Sequence, residues 1–458
     1  MSSHKIGAVT ASTFVIANMI GTGVFTSLGF QLLATTNPYF IAFIWLIGGI
    51  CALCGAIVYS ELGAAMPHSG GEYNFLSRIY TPRLGFMSGW ASMIVGFAAP
   101  VALACMALSH YICNIYPSVN PMALGLGVLT VLTLIHATDA HLGEKTQNVL
   151  TVFKILIIVV FIVAGFLAPA DGAANFVGAG DFKMSDFFSS AIGVSLIWVY
   201  YAYSGWNAAA YIAGDIRDPH KNVPLALLCS TAFCIILYLC LNIVFIRTTP
   251  VPELAGQVEI GLISARHIFG DEGGNLMGLL IALMLVSSIS SMVYVGPRVG
   301  EAMGKDHRFF RMLSRRNKRH SPMIAIWVQW AICVVMILTD SFQVITQYTG
   351  VVISLCAMLT VAGVFVHRWR YPNSKRPYRT FLYPITPIVF CAVILFSIMY
   401  MIYDDYEKTY ILHSQDLMWT TIASALTLVS GAFVYDLQKK HNKRRDKKLK
   451  KLQNHEKK

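Results

Sequence analysis

Long apolar blocks alternate with short polar turns along the whole chain. A hydrocarbon core about 30 Å thick needs about 20 mostly apolar residues per helix. About twelve segments meet that requirement, near 6–33, 39–66, 85–115, 122–138, 147–168, 187–214, 223–246, 274–300, 323–339, 343–366, 383–403 and 417–436. The pattern predicts an all-α integral membrane protein with twelve transmembrane helices and no sizeable soluble domain. The opening "IGAVTAS" is too weakly apolar, and its segment too long, for a signal-peptide core.

Two of these blocks are interrupted. The first contains "NMIGTGVF", with Gly21 and Gly23 on either side of Thr22. Glycine weakens a helix, and in a bilayer broken backbone survives only where it is buried in protein or lines a cavity. One reading is a packing notch; the other is a true break. A break would free the amides of Thr22, Gly23 and Val24 at the positive end of the following half-helix, a site for a carboxylate. The carbonyls around Met19 would suit an ammonium group. A side chain at position 23 would then occupy the carboxylate's place. The sixth block, "SLIWVYYAYSGWNAAAYIAGD", carries Ser204-Gly205 in its middle. Interruptions at matched positions of two five-helix halves point to a midplane binding site. Carbonyls near Tyr201 and Ser204 would add to those near Met19.

Charge then orients the chain. Only 13% of residues are charged and 56% are hydrophobic, against roughly 25% charged in a soluble domain. With both ends and every second turn assigned to one side, that side holds 30 of the 35 Lys and Arg. The other side holds Lys183, Arg247, Arg266 and Lys408, and Lys154 lies within a span. The positive-inside rule places both termini in the cytoplasm. The net charge of +12 sits largely on inner loops and on the tail "KKHNKRRDKKLKKLQNHEKK". That tail reads either as a solvated topogenic segment or as a holder of anionic lipid. The charges follow membrane topology, so nucleic-acid binding is not expected.

The ten cysteines fall in spans or near their ends, and "CALC" at Cys51 and Cys54 lacks a second metal-ligand pair nearby in sequence. Packing between helices is the expected role. His110 and His136 read as packed, hydrogen-bonded side chains, with a proton relay as the alternative. Glu61, Glu72 and His68 fall in the turn after span two and read as a structural link among inner loops. Arg298 and Glu301 read as gate or loop anchors. No nucleotide-binding, metalloprotease or nucleophile-elbow motif occurs, and no cofactor is implied. Lys154, in "NVLTVFKILIIVVF", is expensive inside a span, by about 2.5–3.5 kcal/mol on insertion scales. It either faces a cavity or partner, or snorkels to the headgroups.

The chain resembles the amino acid–polyamine–organocation transporters, and within them the L-type amino acid branch. The likeness covers about residues 5 to 436 and rests on five stretches in order. These are "MIGTGVF", "ELGAAMPHSGGEYNFLSRIYTPRLGFMSGW", "FFSSAIGVSLIWVYYAYSGWNAAAYIAGDIRDPHKNVPLAL", "GPRVGEAMGKD" and "RWRYPNSKRPYRTFLYPITPIVF". The resemblance implies a LeuT-like fold of two inverted five-helix repeats with helices 1 and 6 broken, working by alternating access. The repeats would span residues 1–168 and 169–368, with two further helices in 369–436 and the basic tail in 437–458. It also implies that Thr22 and Gly23 receive a substrate carboxylate. The carbonyls of Met19, Tyr201 and Ser204 would receive the amine, with Asn207 at the edge of the side-chain pocket and Tyr238 near the unwound first helix. Lys154 would stand where sodium-coupled relatives bind their ion. Its ammonium would hold the broken helix to the serines of "SSISSM", Ser287, Ser288, Ser290 and Ser291, and could carry a coupling proton.

The sequence departs from relatives that join a single-pass glycoprotein. They use a cysteine between spans three and four, where this chain reads "IYPSVNP", although Cys113 is close by. No disulfide-linked subunit is therefore expected, and the chain reads as a bacterial inner-membrane protein acting alone. At Ser204 some relatives carry aspartate or glycine, which leaves the substrate range open. The expected activity is sodium-independent amino acid transport, by exchange or proton coupling. Apart from Lys154 no charge falls near a span centre, which favours neutral L-amino acids; cationic amino acids or polyamines are the alternative. A passive channel and an intramembrane enzyme are the rivals from other classes.

Overall fold

Helix follows helix from Ala8 to Glu456, and among the described residues there is no strand, only an isolated bridge between Ile6 and Ile216. The computed structural model describes residues 5–138, 140–176, 190–319, 321–339, 342–407 and 419–456. Lys183 and Lys408, counted above with the outer charges, lie outside them. The first block is two helices, α1 (Ala8–Met19) and α2 (Thr22–Gln31). Then come α3 (Pro38–Ala65), the short α4 (Glu72–Ile79), and α5 (Pro82–Ala91), which passes through a π-helical turn, Ser92–Ala98, into α6 (Ala99–Ile115). α7 (Pro121–Thr138) and α8 (Ala140–Leu167) come next, and α9 (Ser190–Tyr203) and α10 (Ala208–Tyr211) form the second interrupted block. α11 (Pro219–Thr248), α12 (Val251–Leu254), α13 (Ile260–Val295) and α14 (Pro297–Asp306) follow. The remainder is α15 (Met323–Thr339), α16 (Phe342–Arg370), α17 (Ile385–Tyr406) and α18 (Trp419–Glu456), which runs on into the basic tail.

Local chemistry starts these helices where the sequence suggests. Pro38 follows Asn37, whose side chain accepts from the amides of Tyr39 and Phe40 at 3.0 and 3.2 Å. Pro82 follows Thr81, which accepts from Leu84 at 3.2 Å. These are N-cap side chains satisfying amides that the helix cannot. One interruption was not anticipated: Gly270, with φ 74°, breaks α13.

Ten helical stretches among the described residues are long and apolar enough to cross a membrane. The expectation of twelve spans adds α15, an apolar helix just under the length limit, and the interrupted α9–α10 pair. The chain is a multi-pass helical membrane protein. α1 packs on α8 and α11, and α2 on α9, so the first broken span lies inside the bundle. α8 is peripheral and shows why. Val149, Val152 and Leu156 are 60–69% exposed, while Thr151, Lys154 and Ile158 are fully buried. The two stripes follow the 3.6-residue period, and they put Lys154 on the inward face rather than at the headgroups.

Candidate functional site at two helix breaks

α1 ends where Ile20 takes ψ 83° and Gly21 takes φ −124°, ψ −146°. The carbonyls stranded there are largely occupied. That of Met19 accepts from the Gly21 amide at 2.8 Å and from the hydroxyl of Tyr238. That of Ile20 accepts from Lys154 Nζ and from Ser288 Oγ, both at 2.7 Å. Lys154 also donates to Ser288 Oγ at 2.7 Å and, at 3.5 Å, to the carbonyl of Ala17. A buried ammonium has three protons and needs three acceptors; the end of α1 and one serine supply them.

The other serines have different partners. Ser291 Oγ accepts from Asn18 Nδ2 at 2.7 Å, Ser287 Oγ accepts from Gln147 at 3.3 Å, and Ser290 Oγ pairs with His136 Nε2 at 2.8 Å. Residues three apart share a helix face, so Ser288 and Ser291 both meet the first span. Ser287 and Ser290 point to α8 and α7.

On the far side of the break, the first-turn amides of α2 at Thr22, Gly23 and Val24 have no acceptor among the described residues. The second break faces this point. α9 ends at Tyr203, Gly205 adopts φ 95°, and the helix resumes at Ala208. Thr22 Oγ1 and Tyr201 Oη lie 2.9 Å apart and join the two breaks. Gly23 packs on Ala202 so closely that a Cβ would stand 2.3 Å from its Cα. A side chain at position 23 would therefore meet α9, not an open site. Both readings of the glycine pair thus have a place: Gly23 is a packing notch and the helix is also broken. A Cβ at Gly205 would stand 2.7 Å from the carbonyl of Asn18. Gly21 is roomier, with Ser288 Oγ at 3.9 Å.

A cavity lies beside this crossing. Asn18, Ser204, Gly205 and Asn207 line it from the breaks, and Ser92 and Phe97 from the π-helical turn of the third span. π-turns widen a helix locally and often occur at functional sites. Met19, Gly21, Thr22, Gly23 and Tyr201 are not in its wall. The carbonyl of Tyr201 accepts from the Ser204 amide at 3.0 Å.

Among the wall residues that sequence reasoning missed, Glu72 is the charged one. It was grouped with Glu61, but the two carboxylates separate. Glu61 binds the Arg368 guanidinium at 2.6 and 2.9 Å and the amide of Thr380 at 2.7 Å. Glu72 faces the cavity, 4% exposed. It accepts from Tyr59 Oη at 2.8 Å, Asn207 Nδ2 at 2.9 Å and Tyr211 Oη at 2.6 Å. Asn207 is therefore held by a carboxylate at the cavity wall. The available signal was "SGGEYNF", an acidic residue with no Lys or Arg three or four positions away. Arg298 and Glu301 do not pair with each other. Arg298 stacks on Tyr294 at 3.8 Å, and Glu301 binds Arg316 at 2.8 and 2.9 Å.

Comparison with known proteins agrees with this architecture. The amino acid permease family model matches residues 6–429. The chain is 25% identical over 442 residues to b(0,+)-type amino acid transporter 1 of Mus musculus, covering 94% of this chain and 87% of that one. It is 27% identical over 404 residues to Asc-type amino acid transporter 1 of Mus musculus, covering 85% and 76%. Large neutral amino acids transporter small subunit 2 of Homo sapiens is 25% identical over 402 residues, covering 85% and 75%. With a family match over nearly its whole length, the chain belongs to the amino acid permease family.

Proposed function

We propose that this protein is a sodium-independent transporter of neutral L-amino acids, working by alternating access as an exchanger or with protons. The names of its relatives support an amino acid as the transported solute. The observation that carries the mechanism is the meeting of two broken spans at Thr22 and Tyr201, 2.9 Å apart, with unpartnered amides beside them. The amides of Thr22, Gly23 and Val24 take the carboxylate, aided by the positive end of α2. The ammonium goes to the carbonyls of Ser204 and Tyr201. Met19 joins them when the ammonium replaces the Tyr238 hydroxyl, since two donors already fill that carbonyl's lone pairs. Asn207 and Ser204 border the side chain's space. Lys154 supplies a fixed positive charge between α1 and Ser288, in the place a sodium ion would take.

In this reading residues 1–168 and 169–368 are two inverted repeats of a LeuT-like fold, followed by two helices in 369–436 and a cytoplasmic tail in 437–458. Both termini face the cytoplasm of a bacterial inner membrane, the basic tail is a solvated topogenic segment with anionic lipid as its alternative partner, and no disulfide-linked subunit or catalytic role is assigned. A second reading, cationic amino acids, is favoured by one observation: Glu72 is a carboxylate in the cavity wall. Uptake of radiolabelled L-alanine, L-leucine and L-arginine into proteoliposomes, empty or preloaded, tests both. Saturable uptake, stimulated by preloading or by an inward proton gradient and indifferent to sodium, is expected. Flux linear in concentration would sink the transporter in favour of a channel.

A further inference from the structure

Glu72 is a buried carboxylate with neutral partners. The other buried glutamates are paired: Glu61 with Arg368 and Arg376, Glu301 with Arg316 and Lys305. Among the described residues no Lys, Arg or His pairs with Glu72. The titratable groups facing it are phenols and a thiol: Tyr59 from α3, Tyr200 from α9, Tyr211 from α10 and Cys356 from α16. Burial pushes its carboxyl above the usual range, against the hydrogen bonds that Tyr211, Tyr59 and Asn207 donate.

The cluster can satisfy both protonation states. Ionised, Glu72 accepts three bonds, two at Oε1 from Tyr59 and Asn207 and one at Oε2 from Tyr211. Protonated at Oε2, it becomes a donor to Tyr211 Oη, whose own hydrogen can turn to Ser92 Oγ, 3.4 Å away. Tyr59 and Asn207 keep Oε1 as their acceptor in both states. A cationic side chain would find only one lone pair of Oε2 open. The partners belong to separate elements. Asn207 and Tyr211 flank α10, the short half of the second broken span, whereas Tyr59 is on α3 and Ser92 on the π-helical turn. The ionised carboxylate therefore pins α10 to α3 and α4, and protonation turns the Tyr211 hydroxyl hydrogen toward Ser92 on the third span.

We propose that Glu72 is the proton carrier of this transporter, taking a proton from the outside with the amino acid and releasing it to the cytoplasm, each state favouring a different position of α10. The proposal rests on the transport reading above. It adds no bond change beyond the O–H formed and broken at Oε2.

The test is proteoliposome uptake of radiolabelled L-alanine, L-leucine and L-arginine, with lumenal pH followed by entrapped pyranine. In the unaltered protein, amino acid entry should acidify the lumen. In Glu72→Gln the acidification per amino acid transported should fall at least about tenfold, whatever the exchange rate, because the amide cannot titrate. Glu72→Asp should restore it. If Glu72→Gln does not fold, Tyr59→Phe decides. It removes a donor to Oε1 that serves the ionised state, so the pH midpoint of uptake should move up by about half a unit, a roughly threefold gain of proton affinity. An unchanged midpoint overturns the proposal. Uptake without acidification in the unaltered protein overturns the proposal and leaves the transport reading standing; no uptake of any probe under either loading removes that reading itself. Loss of arginine uptake alone, with alanine-driven acidification retained in Glu72→Gln, also overturns it and assigns Glu72 to a cationic side chain.

Discussion

Lys154 donates to the carbonyl oxygen of Ile20 at 2.7 Å, so span five is tied to the last carbonyl before the break in span one. Ser288 donates to the same oxygen at 2.7 Å and also accepts from the ammonium. Three spans thus meet at one buried point. The negative end of the α1 dipole faces the positive charge there, the favourable sense. A sodium ion would be coordinated by the same kinds of oxygen, a carbonyl and a hydroxyl.

Lys154→Ala should therefore cripple transport without preventing folding. It takes the bridging ammonium from the carbonyls of Ala17 and Ile20 and from Ser288, which keep only the Ser288–Ile20 bond, at roughly 1–3 kcal/mol per unsatisfied buried group. That is a shift of about fivefold to more than a hundredfold between states in which the bridge is and is not made. Lys154→Arg should rescue poorly, because a planar fork does not fit a fully buried site built for a compact ammonium. Uptake assays with sodium replaced by choline, alongside size-exclusion profiles, check both points. Full activity in Lys154→Ala would reduce the contact to packing.

The Thr22–Tyr201 hydrogen bond predicts coupling between the two breaks. Thr22→Val and Tyr201→Phe should each weaken substrate affinity by about 1 kcal/mol, and the double variant by little more than either, since one bond is lost in all three. Competition binding in detergent measures the cycle. Strictly additive losses would mean that the two residues act on substrate separately.

The three glycines should behave differently although all sit at breaks. Gly21→Ala places its Cβ at ordinary contact distance from Ser288 and should fold. Gly23→Ala drives a methyl into the backbone of Ala202, and Gly205→Ala both strains a residue at φ 95° and crowds the Asn18 carbonyl. Overpacking of this kind costs typically 1–3 kcal/mol. Thermal unfolding in detergent should show a lower midpoint for the last two variants and little change for the first. Equal tolerance at all three positions would mean that α2 and α9 do not pack this closely in the membrane.

Much of this arrangement could be read from residues near one another in sequence. Span positions follow from the length of apolar runs, because the bilayer sets that length. The break at Gly21 is local backbone chemistry, and the inward face of Lys154 follows from the exposed stripe of Val149, Val152 and Leu156. What could not be read depends on turns that redirect whole elements. Gly70 and Gly71, at φ 113° and 53°, aim α4 so that Glu72 reaches the cavity rather than the loops. The run "SSISSM" looks like one cluster on paper, but successive side chains on a helix point about 100° apart. Its four serines therefore serve three different helices, and only Ser288 meets Lys154. Met19 was expected to offer its carbonyl; Tyr238, distant in sequence, already donates to it.

The last prediction concerns the other glutamate. Glu61 is fully buried at the end of α3, yet Arg368 meets it with a forked pair of bonds from the end of α16, and the Thr380 amide adds a third. Arg376 Nε lies 3.5 Å away on the same side. This clamp joins α3, α16 and the segment leading to α17, and it has no place in the cavity wall. Glu61→Gln keeps the shape but leaves two guanidinium groups facing a neutral amide. Removing one partner of a buried pair costs about 3–5 kcal/mol, and the 24% exposure of the Arg368 side chain places the loss at the low end of that range. The thermal midpoint in detergent should fall by several degrees, and by less in Arg368→Lys, which keeps the charge but loses the fork. Relative uptake rates among the radiolabelled amino acids should stay the same, because Glu61 touches none of the groups assigned to substrate. A change in substrate preference without loss of stability would place Glu61 with Glu72 after all.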